Sequence, residues 1–303
     1  STPLYSSAAS DVYKRQQFEV RKFLFIINPK SGAQRRYDWE YMIEKHLKAD
    51  LFLILESVSP AHSDELVRQY SEDTSVCVVA VGGDGTVSEL AKMVYKFDLM
   101  LGIIPIGSGN GLARHLKIST NPAKALARLT TGKPKHIDLI KVNNRYCCNT
   151  CGIGFSGLIS RYFGNKGKRG FTTYFKLALR LHKESKCFDV VLNDKLFKDV
   201  WSIEIANSSQ LGNNAIVSPL ASVSDGIMDV LIMSKPKSWQ IPGLIYMVFS
   251  RNILKSSLSH FIRASELIVQ LPVEQEHHID GEHRGLISEL EVKILPSVLK
   301  VIL

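Results

Sequence analysis

Three glycine-bearing turns in this chain carry the residue types that hold phosphate. The central one, Gly82-Gly83-Asp84-Gly85-Thr86, directly follows the apolar run 76–81. A side chain at Gly82, Gly83 or Gly85 would keep a phosphate away from the backbone. Thr86-Val87-Ser88-Glu89 reads as a capping box, which predicts that a helix starts there. Val87, Leu90, Ala91 and Val94 give that helix an apolar face. Free N–H groups at such a helix start attract an anion. Asp84 is the odd member: a bare carboxylate beside phosphates is repelled, so it needs Mg2+ or a hydrogen-bond donor next to it.

The second turn, Gly107-Ser108-Gly109-Asn110-Gly111, follows the run 102–106 and opens a predicted helix at 112–116. Ser108 and the surrounding N–H groups suit phosphate oxygens. The third, Asn28-Pro29-Lys30-Ser31-Gly32, follows the run 23–27. There Asn28 suits a ribose or base edge, and Lys30 neutralises phosphate charge. None of the three matches G-x-x-x-x-G-K-[ST], and no G-x-G-x-x-G with a following acid succeeds the first run, which disfavours hydride transfer. Far along the chain, after His277-His278-Ile279, stands Asp280-Gly281-Glu282. A glycine between two carboxylates makes a sharp turn that aims both at one cleft. Phosphoryl transfer to an alcohol needs a group that accepts the hydroxyl proton, and Asp or Glu serves. Taken alone this turn, like Ser224-Asp225-Gly226-Ile227-Met228-Asp229, reads as a surface turn.

The elements that position these turns alternate in the first half. Apolar runs at 23–27, 51–55, 76–81 and 102–106 are separated by helical patterns at 36–47 and 64–70. Continuous Val/Ile runs between helices predict strands covered on both faces, hence a doubly wound parallel α/β domain over 20–138. Ligands in such sheets bind at the carboxyl ends of the strands, where all three turns lie. After about residue 140 the segments shorten and become β-like, with hairpin turns at Asn143-Asn144 and Asn193-Asp194. An antiparallel β-sandwich domain is predicted over 139–289, interrupted by helical insertions at 172–186 and 239–254. The tail 290–303 fits either domain and is a candidate to complete the first. Residues 1–16 show no apolar period and read as a sequencing scar.

The chain has 303 residues and a net charge of +9, which favours an anionic partner. Five cysteines, Cys77, Cys147, Cys148, Cys151 and Cys187, lack disulfide or zinc spacing and read as buried thiols in a reducing cytoplasm. No apolar run reaches the roughly 18 residues of a membrane span. The segment 161–186 combines Arg161, Lys166, Lys168, Arg169, Lys176, Arg180, Lys183 and Lys186 with Phe163, Phe171, Tyr174 and Phe175, a composition that suits an anionic membrane face. Residues 239–254 read as a buried helix or the lining of an acyl pocket. No helix-turn-helix, zinc-finger or RNA-binding signature appears, so no nucleic-acid partner is expected.

Asn28-Pro29-x-Ser31-Gly32, Gly82-Gly83-Asp84-Gly85-Thr86, Gly107-Ser108-Gly109-Asn110 and Asp280-Gly281-Glu282, in this order, resemble the soluble bacterial-type diacylglycerol kinase catalytic-domain family and its sphingosine and ceramide kinase relatives. The resemblance covers about residue 20 to the C-terminus. It implies a nucleotide-binding α/β domain and a β-sandwich domain with the active site between them. It also implies ATP with Mg2+ as cofactors and a lipid alcohol as acceptor: diacylglycerol by default, otherwise a sphingoid base. Asp280 is then the proton acceptor and Glu282 its companion near the Mg2+-nucleotide, with Asp84 a third catalytic candidate. Asn28 to Gly32, Gly82 to Glu89 and Gly107 to Asn110 are the ATP-binding candidates. Ser57 falls where the family places a nucleotide-touching Thr. Bacterial members carry a second, structural Mg2+, and the matching positions are Asp225 with the carbonyls of Ser222 and Ile227. The expected protein is cytoplasmic and peripherally membrane-bound, with a homodimer left open. A kinase of a soluble substrate, related to NAD kinases, and a non-catalytic nucleotide or lipid binder are the alternative readings.

Overall fold

Four apolar runs become the parallel strands β1 (Lys22–Ile27), β2 (Phe52–Glu56), β3 (Val76–Gly82) and β4 (Met100–Pro105). The computed structural model describes residues 22–29, 37–164 and 171–303, with side chains for all of these except 163, 164 and 171–175. The strand order is β2-β1-β3-β4, all parallel. β3 and β4 are buried along their whole length, as their unbroken apolar sequences require. The sequence direction of the sheet reverses between β1 and β3, which places a crevice at the loops that follow them.

The helices between these strands are α1 (Trp39–Glu44), α2 (Pro60–Arg68), α3 (Asp84–Lys96), α4 (Gly111–His115) and α5 (Pro122–Thr131). α2 starts four residues before the predicted 64, because Ser59 caps it by accepting the His62 N–H and Pro60 fits the first turn. α5 has the same start, with Asn121 as cap and Pro122 next, and was not foreseen. α3 corrects the capping-box reading. Val87 N–H donates to the Gly83 carbonyl at 3.1 Å, so the helix begins at Asp84 with Gly83 as its cap and no side-chain capping bond.

The second half contains β5 (Pro134–Val142), β6 (Arg145–Cys147) and β7 (Thr150–Gly154), then helices α6 (Phe155–Gly164) and α7 (Phe171–Glu184). There follow β8 (Phe188–Leu192), β9 (Lys195–Ala206), the short pair β10 (Gln210–Gly212) and β11 (Ala215–Ile216), and β12 (Met228–Ser234). Helix α8 (Ile241–Phe249), β13 (Ser259–Ala264), β14 (Glu266–Ile279) and β15 (Glu282–Ile302) complete the chain. β9 and β14 are bridged twice, once by β7 and once by β8. The antiparallel strands therefore curl around one core, with Ile153, Ile203, Ile205, Val269 and Leu290 inside, as an antiparallel β-sandwich.

One strand joins the two halves. β15 is 21 residues long. It pairs antiparallel with β14 and β5, and at Lys300 and Val301 it pairs parallel with β4. The tail 290–303 thus belongs to both sheets. Its register shifts between Leu295 and Leu299, around Pro296, and buried Asp138 holds this bend by accepting the Ser297 N–H at 2.7 Å. The other Asp138 oxygen accepts Gly226 N–H at 2.8 Å.

The insertion 239–254 is not a buried helix: α8 has no buried residue, and only its inner side, with Leu244, Met247 and Val248, packs on Trp201, Leu231 and Met233. Leu177 and Leu181 of α7 pack on Ile159 of α6, while Lys176, Arg180 and Lys183 face outward. Among the described residues, no helix is long and apolar enough to cross a membrane.

Candidate active site

The first two glycine turns touch backbone to backbone. A Cβ on Gly107 would stand 2.4 Å from the Gly83 Cα, so position 107 must lack a side chain, while a Cβ on Gly83 would stand 3.2 Å from the Gly107 Cα, a tight contact. Asp84 fixes this contact. Its carboxylate accepts the N–H of Gly111 at 2.6 Å and of Asn110 at 2.7 Å. These amides are hydrogen-bond donors to the Asp84 carboxylate, one of the two kinds of partner expected for it. Burial pushes the Asp84 carboxyl above the usual carboxylate range, the two amides oppose this, and nearby Asp280 adds to it. Asn110 adopts a left-handed backbone (φ 55°) and donates its side-chain amide to the Gly107 carbonyl at 2.7 Å. Ser108 is left exposed at the tip.

From the loop after β1, Asn28 donates to the Thr86 hydroxyl at 3.2 Å, across the crevice between β1 and β3. Pro29 is exposed beside it, while Lys30, Ser31 and Gly32 lie outside the described residues. Val87 is a core residue. Ser57 is buried, and its hydroxyl is bonded to the Ser59 carbonyl at 3.0 Å and the Ser63 hydroxyl at 2.5 Å. Glu89 sits next to this group. Burial pushes its carboxyl up, partly offset by Ser63.

The remote turn arrives from the other half. Asp280 and Gly281, with φ of 50° and 79°, form the two-residue loop joining β14 to β15, with Ile279 paired to Glu282. Positive φ at both central positions defines a type I′ hairpin, for which Asp-Gly is a favoured pair. The buried Asp280 carboxylate accepts the Ser88 hydroxyl at 2.5 Å and the N–H groups of Cys148, Asn149 and Thr150 at 3.0, 2.8 and 3.3 Å. The Cys147 thiol also donates, at 3.2 Å. Ser88, in the second turn of α3, thus links the glycine loop to the turn. Glu282 crosses to the same loop: its Oε1 lies 2.7 Å from where a Cβ on Gly85 would stand, while Oε2 accepts from Arg284 at 2.6 Å. Asp84, Asp280 and Glu282, spread over 199 positions of sequence numbering (84 to 282, inclusive), are gathered at one crevice.

The segment Cys147–Thr150 and the β10–β11 hairpin belong to this site and were not foreseen. Gly212 of the hairpin (φ 124°) packs on Gly109, where a Cβ would meet the Gly109 Cα at 2.7 Å. Asn149 donates to the Gln210 carbonyl at 3.1 Å. The Gly-Asn-Asn turn at 212–214 was the available signal; the amides of 148–150 leave none. Cys77, Cys147, Cys148 and Cys151 are buried and free, as expected, whereas Cys187 is exposed. Burial pushes the thiols of Cys77, Cys147 and Cys148 well up, so they stay neutral.

The donor set expected for a structural Mg2+ does not fit that ion. Asp225 Oδ2 is bound by Arg263 at 2.6 Å and Oδ1 accepts the Ile227 N–H at 3.2 Å. The same guanidinium reaches buried Asp229 at 3.0 Å. Of the three expected positions, the one that brings a carboxylate, Asp225, is therefore paired with a side-chain cation. Among the described residues, no group of three or more His, Cys, Asp or Glu side chains is placed to hold a metal.

Residues 22–142 match the diacylglycerol kinase catalytic domain, and residues 167–303 match the YegS C-terminal NAD kinase beta sandwich-like domain. A "Putative lipid kinase" of Streptococcus pneumoniae serotype 4 is 24% identical over 93% of this chain and 98% of its own length. A "Probable lipid kinase YegS-like" of Serratia proteamaculans is 28% identical over 74% and 75%. The fold is shared with a crystal structure titled a putative diacylglycerol kinase from Bacillus anthracis, at a TM-score of 0.73 and 22% identity over 93% and 96% of the two chains. The chain belongs to the diacylglycerol kinase-like family of lipid kinases, with that family's catalytic domain followed by its β-sandwich-like domain.

Proposed function

We propose that this protein transfers the γ-phosphoryl group of ATP to the hydroxyl of a membrane lipid, with diacylglycerol as the default acceptor and a sphingoid base as the alternative. The observation that carries this reading is the meeting of the Asp280-Gly281-Glu282 turn with the Gly82–Thr86 loop through Ser88 and Gly85. The glycine-loop amides hold the phosphates and stabilise the charge spread over the transferred group. Asp280 takes the acceptor hydroxyl's proton. Glu282 would hold the Mg2+ that ATP carries, and that ion would neutralise phosphate charge.

The lipid reading draws on a second surface. Trp239 and Tyr246 are 75% and 72% exposed on and beside α8, and Phe249 is exposed at its end. Arg180 and Lys183 of α7 line a groove of about 470 Å3 that reaches Ile241. Exposed aromatic residues beside basic ones suit an anionic bilayer.

The direct test is radiolabelled ATP with a total lipid extract, followed by identification of the labelled product. Label entering only water-soluble compounds sinks the lipid reading and favours the NAD-kinase-like one. Asp280→Asn is expected to bind ATP normally and to lose transfer. Unchanged turnover in that variant removes Asp280 from its role.

A further inference from the structure

Beneath the Asp280 turn lies a buried polar group that the phosphoryl-transfer reading does not use. Strands β9, β7 and β14 are adjacent, and their register sets Glu204 opposite Gly152 and Gly152 opposite His278. Glu204 and His278 therefore rise from one face on either side of a glycine, both buried. The Ser156 hydroxyl, from the first turn of α6, comes down over the same spot. A Cβ on residue 152 would stand 2.3 Å from Ser156 Oγ, 2.5 Å from His278 Nε2 and 2.7 Å from Glu204 Oε1. Only glycine leaves room for these three groups.

His278 faces the turn with its other nitrogen. Gly281 N–H donates to His278 Nδ1 at 3.3 Å. A ring nitrogen that accepts carries no proton, so the proton of the neutral ring must sit on Nε2. Glu204 Oε2 lies 3.6 Å from that Nε2 and has no hydrogen-bond partner among the described residues. An acceptor oxygen there favours the Nε2–H form. The second amide of the turn, Asp280 N–H, donates to the Thr150 carbonyl at 2.8 Å. Both amides of the type I′ turn are thus tied down: one to β7, the other to His278.

We propose that His278 is a positioning residue for Asp280, with Glu204 setting its tautomer and Gly152 making the space. His278 holds the Gly281 amide, the held amide fixes the backbone of the turn, and the backbone aims the Asp280 carboxylate at the acceptor hydroxyl. This rests on the reading of Asp280 as the proton acceptor, which the Asp280→Asn variant tests separately.

Two measurements decide the matter. Nitrogen NMR of histidine-labelled wild-type protein reads the tautomer directly, without any variant. A neutral Nε2–H ring at His278 is expected, and an Nδ1–H ring overturns the proposal. The kinetic arm compares His278→Asn with His278→Gln. An Asn oxygen reaches about where Nδ1 stands and still accepts the Gly281 amide, whereas Gln reaches toward Glu204 and leaves that amide unheld. kcat is expected to stay near wild type in His278→Asn and to fall about tenfold in His278→Gln, with the KM for ATP unchanged in both, since a small misplacement of a catalytic group costs rate. If Gln matches or exceeds Asn, His278 only fills space and the proposal fails.

Discussion

The carboxylate of Asp84 accepts the backbone N–H of Gly111 at 2.6 Å, so a side chain of the first glycine loop holds the backbone of the second. Asn110 N–H completes the grip at 2.7 Å. An Asn side chain has one oxygen for these two amides. Asp84→Asn is therefore expected to weaken ATP binding about tenfold, equal to about 1.4 kcal/mol. It should also lower stability by about 1–3 kcal/mol, the cost of a buried donor left unpaired. Titration calorimetry and thermal unfolding read the two effects. Unaltered ATP affinity would show that the loops keep their register without this tie.

Gly107 approaches Gly83 so closely that it takes no methyl group without a backbone shift. In Gly107→Ala the new Cβ would lie 2.4 Å from the Gly83 Cα and 2.8 Å from Asn110 Oδ1. Backbone atoms on one side leave little room to yield, so overpacking should cost about 1–3 kcal/mol. Loss of ATP binding should accompany it. Gly243→Ala is the control, because no atom lies within 4 Å of a Cβ there. That variant should gain about 0.4–1 kcal/mol through the unfolded chain, as glycine in a helix gives up more freedom on folding.

Arg263 stands between Asp225 and Asp229 and supplies the positive charge of that turn. Unfolding temperature should not change when EDTA is added. Arg263→Ala should destabilise by about 1–3 kcal/mol, because buried Asp229 loses a charged partner and, among the described residues, keeps the Ser218 hydroxyl as its side-chain partner. A drop in unfolding temperature with EDTA in the wild-type protein, reversed by Mg2+, would falsify the assignment of a side-chain cation to this place.

Stability should fall as the solution is acidified below about pH 6.5. Burial holds His115 and His277 below their ordinary value of 6.5. The unfolded chain then takes up protons first, so it binds more protons than the folded chain in the window between 6.5 and the lowered folded values. Stability contributed by these groups is full above 6.5 and is lost as pH falls through that window. His115 accepts the Ser209 N–H at Nδ1, 3.1 Å away, a contact that protonation breaks. The raised carboxyls of Asp84, Glu89 and Asp229 act in the opposite sense. The decisive comparison is therefore wild type against His115→Gln, whose unfolding temperature should fall less steeply between pH 7.5 and 5.5. Parallel curves would exclude His115 as a contributor.

The local part of this site was legible in the sequence because local physics produces it. An unbroken apolar run followed by glycines makes a buried strand with a bare turn, and this holds for β3 and Gly82 to Gly85. Asp-Gly at 280–281 encodes its own type I′ hairpin through two positive φ angles. The helix starts were less legible. Thr86-Val87-Ser88-Glu89 has the letters of a capping box, yet its hydroxyls are used elsewhere: Thr86 accepts from Asn28, and Ser88 donates to Asp280. Partners so far away in sequence outcompete the local cap, and no periodicity reports them.

The sequence by itself determined which residues could do chemistry: the glycines, Asp84, Asp280 and Glu282, and the strand-then-turn pattern that puts phosphate-holding amides at one edge of a sheet. Only the tertiary structure decided what each does there. Asp84 holds the second loop because α4 starts where its two oxygens end. Arg263 occupies the turn at Asp225 because β13 pairs with β12 in the register that sets Arg263 opposite Asp229. Asp280 reaches the glycine loops because β15 runs from one sheet into the other, carrying the β14–β15 turn to the crevice. Local propensity acts over a few residues, whereas such contacts are set by strand register and by the burial that fixes it, and both are properties of the folded chain alone.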